Sequence, residues 1–317
     1  GMLEVSTFAQ HCRSTWPGDG PRFVGLGDLS YSSWIPARTT AFWAAYGNDT
    51  VARYFWEESH SGRPLGSVES LLTLAQFGKA PSPQAPDLPP AKVFRGQPMA
   101  FLRTGWSPGD TLLVLTNMQH QAGHEHFDRG SLIFEFNGEA LLVDPGMGFY
   151  GSPDAPQFRS TCCHSTLTFS QRNQLATRTP HETAIDGFLT TSGEHCPGNA
   201  GGIDWVVADV AAVYPEAEEY RRHLIFIRPD ICVLCDGVRA KEPEQVELNF
   251  TCLGELSESG PEQFVSTTAR NRLLIHSQSM DELDWRMSEF KTSLPDTPAY
   301  RLVVSRSTPR QTCNFLT

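Results

Sequence analysis

From residue 92 onward, apolar positions come in short runs divided by turns. VFRGQPMAFLRTGW, DTLLVLTNM, SLIFEFNGEALLVD, STLTFSQ, GIDWVVADVAAVY, HLIFIRPDICVLCD, VELNFTCLGE, RLLIHSQS and RLVVSRS are rich in β-branched and aromatic residues. No helical stretch of comparable length interrupts them, so residues 92–317 predict a large antiparallel β-sandwich. Residues 1–80 read differently. ARTTAFWAAYG and TVARYFWEE carry apolar residues at helical spacing, separated by Gly47-Asn48-Asp49, a C-cap glycine followed by N-cap candidates. Ser67 is placed to cap a further helix, VESLLTLAQF, ending at Gly78. Residues 81–91 are proline-rich and read as a semi-rigid linker. The expected fold is mainly β: a sandwich preceded by a short α-helical segment.

One hairpin is legible in detail. Asn137-Gly138 is a strong two-residue turn signal joining SLIFEF to EALLVD. Pairing Phe136 with Glu139 sets Leu132, Phe134, Phe136, Leu141 and Val143 on one face, the expected core face. Ser131, Ile133, Glu135, Ala140, Leu142 and Asp144 fall on the other.

Composition narrows the function. In 317 residues, 25 Lys+Arg stand against 36 Asp+Glu, a formal charge of −11, which argues against broad nucleic-acid binding. No run of about 18 apolar residues exists to span a membrane. Arginine outnumbers lysine heavily, which suits bidentate carboxylate or sulfate binding, although genomic codon bias explains it as well. Gly1 before Met2 reads as a tag-cleavage scar, and the residues after it have no basic and apolar leader pattern. The expectation is a cytoplasmic chain as supplied, or a periplasmic one with an upstream start. Cys232-x-x-Cys235 lies inside an apolar strand pattern, with no second cysteine pair at zinc spacing, and reads as buried, reduced thiols.

The richest stretch for chemistry is His124-Glu125-His126-Phe127-Asp128-Arg129-Gly130-Ser131. Asp144 closes the next strand before Pro145-Gly146, and His164 follows in FRSTCCHSTLTF. His126, Asp144 and His164, from successive strands, offer nitrogen and oxygen ligands in the number that suits Zn²⁺ with an open fourth position. An unbroken register puts His126 on the core face and Asp144 opposite. Convergence therefore requires a bulge or break, with Gly130 the natural place. The alternative is a pair of hydrogen-bonded histidines near a strand end.

The run HEHFDRGSLIFEFNGEALLVDPG, then Tyr150, then FRSTCCHSTLTF, resembles the heparinase II/III-like polysaccharide lyases. RRHLIFIRPDICVLCDGV is similar to that family's strand pair around a characteristic Arg and Asp. Ser165 stands where the family usually has Asn. The resemblance implies an α/α toroid followed by a sandwich of the supersandwich type, and β-elimination on a uronate-containing, acidic polysaccharide. It implies His124 as catalytic histidine, Tyr150 as a substrate-contacting or proton-transferring group, and Arg159 as a contact to substrate carboxylate. His126, Asp144 and His164 become zinc ligands, the ion bracing the loop rather than driving the elimination. Residues 1–80 then correspond to a remnant of the toroid, GPRFVGLGDLS resembling the entry to its last helices. The expectations are a truncated relative, a late start, or helices supplied by another polypeptide. A homodimer through the N-terminal helical surface would follow. Tyr31 and Tyr46 match toroid-side tyrosines by type only and read better as packing residues. The alternatives are a non-catalytic carbohydrate-binding or scaffold sandwich with a structural zinc site, and a metal-dependent hydrolase.

Overall fold

The computed structural model describes residues 26, 44, 48–60, 82–84, 87–107, 109–118, 124, 126–147, 151, 153, 155–175, 183–189, 202–279, 282–292 and 298–317. Helix α1 (Thr50–His60) begins where the capping signal lies: the Asp49 carboxylate accepts from the amides of Val51 and Ala52 at 3.0 and 2.9 Å. The helix expected after Ser67, Tyr31, Tyr46 and most of the expected dimer surface lie outside the described residues.

Among the described residues all strand pairing is antiparallel. The large sheet runs β1 (Ala91–Phe94), β2 (Met99–Arg103), β3 (Leu112–Thr116), β4 (Ser131–Phe136), β5 (Glu139–Leu142), β11 (Val246–Leu253), β16 (Ala299–Arg306), β15 (Leu283–Phe290). A ninth strand, β6 (Leu167–Phe169), also pairs with β11. The facing sheet runs β17 (Arg310–Leu316), β10 (Ile231–Glu244), β9 (Ala217–Ile227), β8 (Ile203–Asp209), β7 (Ala184–Phe188). A small third sheet holds β12 (Glu255–Gly260), β13 (Gln263–Thr267) and β14 (Arg272–His276). The fold is the expected β-sandwich.

The main core lies between the two large sheets, where Leu113, Leu115, Leu132 and Phe134 meet Val206, Tyr220, Leu224 and Phe226. Strands β2 and β3 are buried at every position because their other face is covered too. There Phe101, Val114 and Ile133 pack under Leu26, Leu88 and Trp106, whose indole N–H donates to the Leu88 carbonyl at 2.9 Å. This double burial explains the unbroken apolar run LLVLT.

The hairpin turn forms as read, with Phe136 opposite Glu139 and Glu135 opposite Ala140. Beyond it the register slips, and Phe134 pairs with Leu142. One extra residue, Leu141, bulges out of β5 and reverses the facing of everything after it. Leu142, expected on the far face, joins Leu132 and Phe134 in the main core, while Val143 joins a separate cluster with Ala140 and Leu253. The other face of β4 is also buried, so the hairpin has no solvent side.

Strand β11 organises the region of interest. It is buried throughout, and one of its edges is shared by two strands that run in the same direction, one after the other. Leu142 of β5 pairs with Cys252, and Leu167 of β6 pairs with Leu248. Between them the chains diverge, leaving a fork in the middle of the sheet.

Candidate metal centre and active site

Asp144 and His164 stand on the two sides of that fork. The Val143 amide donates to the Thr251 carbonyl at 3.0 Å and the Asn249 amide to the Thr166 carbonyl at 2.9 Å, so both segments are fixed to β11. Asp144 opens an Asx turn, its carboxylate accepting from the Gly146 amide at 2.8 Å. His164 follows a single 3-10 turn, Thr161–Cys163, and its amide donates to the Thr161 carbonyl at 3.1 Å.

His126 arrives from a third direction. The Ser131 amide donates to the Asp128 carbonyl at 3.0 Å, a tight turn that needs Gly130 at φ +76°. A Cβ on Gly130 would come within 3.2 Å of Thr166 Oγ1 and of Val210. The break expected at Gly130 exists, and the bulge at Leu141 supplies the second change of facing. Together they bring His126 and Asp144 to one place.

His126 Nδ1 lies 3.6 Å from Asp144 Oδ1, and His164 Nδ1 lies 3.4 Å from Asp144 Oδ2. The imidazole centroids are 5.2 Å apart, and all three side chains are buried. Burial opposes ionisation of Asp144, but the His164 and His126 imidazoles outweigh it and hold the carboxyl well below its ordinary range. Both His–Asp separations exceed a hydrogen bond. Two ligand atoms about 2.1 Å from a tetrahedral ion stand roughly 3.4 Å apart, which is the spacing seen here. Neither ring nitrogen of His164 makes a hydrogen bond among the described residues. Buried, converging donors with an unsatisfied imidazole fit a metal ion better than a proton-linked triad.

Around the three donors stands a frame of which the sequence marks only the strand pair with its Arg and Asp. Arg222, fully buried on β9, grips Asp236 of β10 through Nε and Nη2 at 2.8 and 3.1 Å. Its Nη1 donates to the carbonyls of Gly130 and Ser165 at 2.5 and 2.7 Å. One guanidinium thus ties the facing sheet to the backbone beside both histidines. Burial opposes its charge, yet the Asp236 carboxylate raises its pKa further still. Arg129 adds a second brace, donating to the carbonyls of His126 at 2.7 Å and Met118 at 3.0 Å. Gln174 returns the favour, accepting from the Arg129 amide at 3.0 Å and donating to its carbonyl at 2.8 Å. Asp128 is buried beside the donors; desolvation pushes its carboxyl up, against the pull of His164 and Arg129. Ser165 uses its hydroxyl to accept from the Thr251 amide at 3.2 Å.

Of the remaining candidates, His124 is exposed two residues before His126. Arg159 is half-buried just after helix α2 (Ala155–Phe158), and its carbonyl accepts from the Phe127 amide at 3.0 Å. That bond draws the Arg159 segment against the His124–His126 segment. Tyr150 lies outside the described residues. Cys232 and Cys235 form no disulfide, and their spacing in a strand sends them to opposite faces, Cys232 against the core and Cys235 outward. Both thiols are reduced, as expected, but each is only partly buried.

Sandwich, fork and donor set together define a recognisable class. The family Heparinase II/III-like, C-terminal matches residues 89–315, and the chain belongs to that family. Among solved structures the chain is similar to the heparan sulfate lyase HepC from Pedobacter heparinus, at 17% identity and TM-score 0.65, covering 93% of this chain and 43% of that one. It is likewise similar to a heparinase III, at 15% identity and TM-score 0.68, covering 99% of this chain and 46% of that one. The likeness at such identities is one of fold, and the chain spans less than half the length of these proteins. No curated protein sequence matches it.

Proposed function

We propose that this protein is a polysaccharide lyase that cleaves a uronate-containing chain by β-elimination. The observation that carries the reading is one of position: a buried His126–Asp144–His164 group holds, within a few residues, the exposed His124 and the half-buried Arg159. Residues 92–317 supply this half of the site.

The reaction needs a base, an acid and a counter-charge. The C5–H bond of the uronate breaks as the base takes the proton, and its electron pair forms the C4=C5 double bond. The C4–O4 bond breaks as that double bond forms, and the leaving oxygen takes a proton. Arg159 neutralises the uronate carboxylate, which stabilises the charge that develops as C5 loses its proton. Of His124 and Tyr150, one takes the C5 proton and the other gives a proton to O4. Zinc suits the set of His126, Asp144 and His164, and when bound it supplies fixed positive charge among these donors. The residues themselves hold the segment that presents His124.

Elimination leaves a conjugated, ultraviolet-absorbing product. Its appearance with heparan sulfate, and its loss in His124→Ala with an unchanged melting temperature, is the expected result. New reducing ends without that absorbance would point to a hydrolase, and saturable binding with neither signal to a carbohydrate-binding scaffold.

A further inference from the structure

Adjacent residues on β9 point to opposite faces, so while Arg222 reaches the donor frame, His223 stands on the outer face of the five-stranded sheet. There it meets Trp205 of β8, which is 39% exposed. The indole Nε1–H donates to His223 Nδ1 at 3.1 Å, and the two ring planes lie 12° apart with centroids 5.7 Å apart. An N–H bond lies in the indole plane and the acceptor lone pair in the imidazole plane. The rings therefore sit edge to edge, as one flat surface, rather than face to face. Phe188 of β7, 67% exposed, pairs directly with Trp205 and lengthens the aromatic row.

On the other side of His223 the surface drops into an open cleft of about 530 Å³, lined by Cys235, Gly237, Gln278, Asn314 and Leu316. This volume lies within the usual size range of small-ligand sites. Gly237 forms the depression: a Cβ there would meet only Asn314 Oδ1 at 3.7 Å and the Arg221 carbonyl at 4.0 Å. The Asn314 side chain makes no hydrogen bond among the described residues, and Arg221 is exposed next to Gly237 in register.

We infer that this face is a second saccharide-binding site, which takes two or three pyranose units of the acidic polysaccharide away from the reacting centre. The weakly positive C–H face of a pyranose lies on the negative π-face of the Trp205–His223 surface. The Asn314 amide and the Gln278 Oε1, whose own Nε2 is held by His276 at 2.9 Å, reach ring hydroxyls in the cleft, and Arg221, 4.0 Å from the Asp209 carboxylate, faces a carboxylate or sulfate. The choice of an acidic chain rests on the function proposed above. Such a site keeps the protein on its polymer between cleavage events.

The test is the indole N–H resonance of Trp205 in the full chain, assigned with Trp205→Phe and titrated with a heparan sulfate hexasaccharide. The expected result is a saturable shift. Gly237→Val fills the depression without a backbone clash, and Trp205→Ala removes the platform; each weakens hexasaccharide affinity at least tenfold while the melting temperature holds. A resonance that does not move, or moves only with a neutral cellohexaose, overturns the inference. So does a resonance that ignores sugar but broadens with protein concentration, which would assign the face to a second copy. Absence of unsaturated product with a shifting Trp205 counts against the lyase reading and leaves this site standing.

Discussion

Arg222 is the residue on which the account of the site depends most. Replacing it with Met removes a bidentate partner from Asp236 and the donor to two carbonyls beside His126 and His164. The loss is large because Asp236 is itself buried and would be left as an uncompensated charge. Breaking a buried pair from one side costs about 3–5 kcal/mol. For a chain of this length that corresponds to a melting temperature lower by roughly 6–10 °C, at about 2 °C per kcal/mol. Arg222→Lys keeps the charge, but a single ammonium cannot serve both carboxylate oxygens and both carbonyls, so its loss should be intermediate. The double variant Arg222→Met/Asp236→Leu separates the two roles. With the stranded charge gone, most of the stability returns, whereas the Gly130 and Ser165 carbonyls still lack their donor. Metal content, measured by mass spectrometry on purified protein, should therefore stay low in the double variant while thermal denaturation shows recovery. A single variant melting within about 1 °C of the parent, or a double variant with full metal content, would refute the positioning role.

Other perturbations test neighbouring parts. His164→Ala should carry less than about a tenth of the parent's metal, and a chelator should lower the melting temperature of the parent but not of this variant. Gly130→Ala meets both a left-handed backbone and the 3.2 Å contacts to Thr166 and Val210, so denaturant titration should show a loss of about 1–3 kcal/mol. The Asp144 carboxyl, held low in the fold, contributes stability that is present above about pH 4 and is lost as pH falls through its lowered pKa. Asp144→Asn should accordingly flatten the acid limb of stability against pH in metal-free protein, measured by urea unfolding. Cys235→Ser should leave metal content and melting temperature unchanged, because Cys232 lies on the other side of the strand.

The sequence revealed the sandwich because each strand announces itself through local composition, and Asn137-Gly138 and Asp49 did the same for one turn and one helix start. The bulge at Leu141 left no such mark. Nothing in EALLVD differs from an unbroken strand. His126, Asp144 and His164 are legible as ligand-type residues on successive strands, and the family motifs around them add to that. Arg222 was visible only as part of a similar strand pair, since the carbonyl it holds at Gly130 lies 92 residues away. Gln174 carried no signal, as its partner Arg129 is 45 residues distant and both contacts are to backbone. The Trp205–His223 surface is not legible in the sequence, because one row of a strand's outward residues becomes a surface only when the neighbouring strand's register is known.

The central claim is elimination on a uronate chain, and one measurement bears on it most directly. The purified full chain, with its metal content determined, is incubated with heparan sulfate while ultraviolet absorbance and reducing ends are followed together. Both should rise in equal molar amounts, and His124→Ala should abolish both without unfolding the protein. Reducing ends rising without the absorbance of a C4=C5 double bond, or neither rising with metal-loaded protein, would contradict that claim.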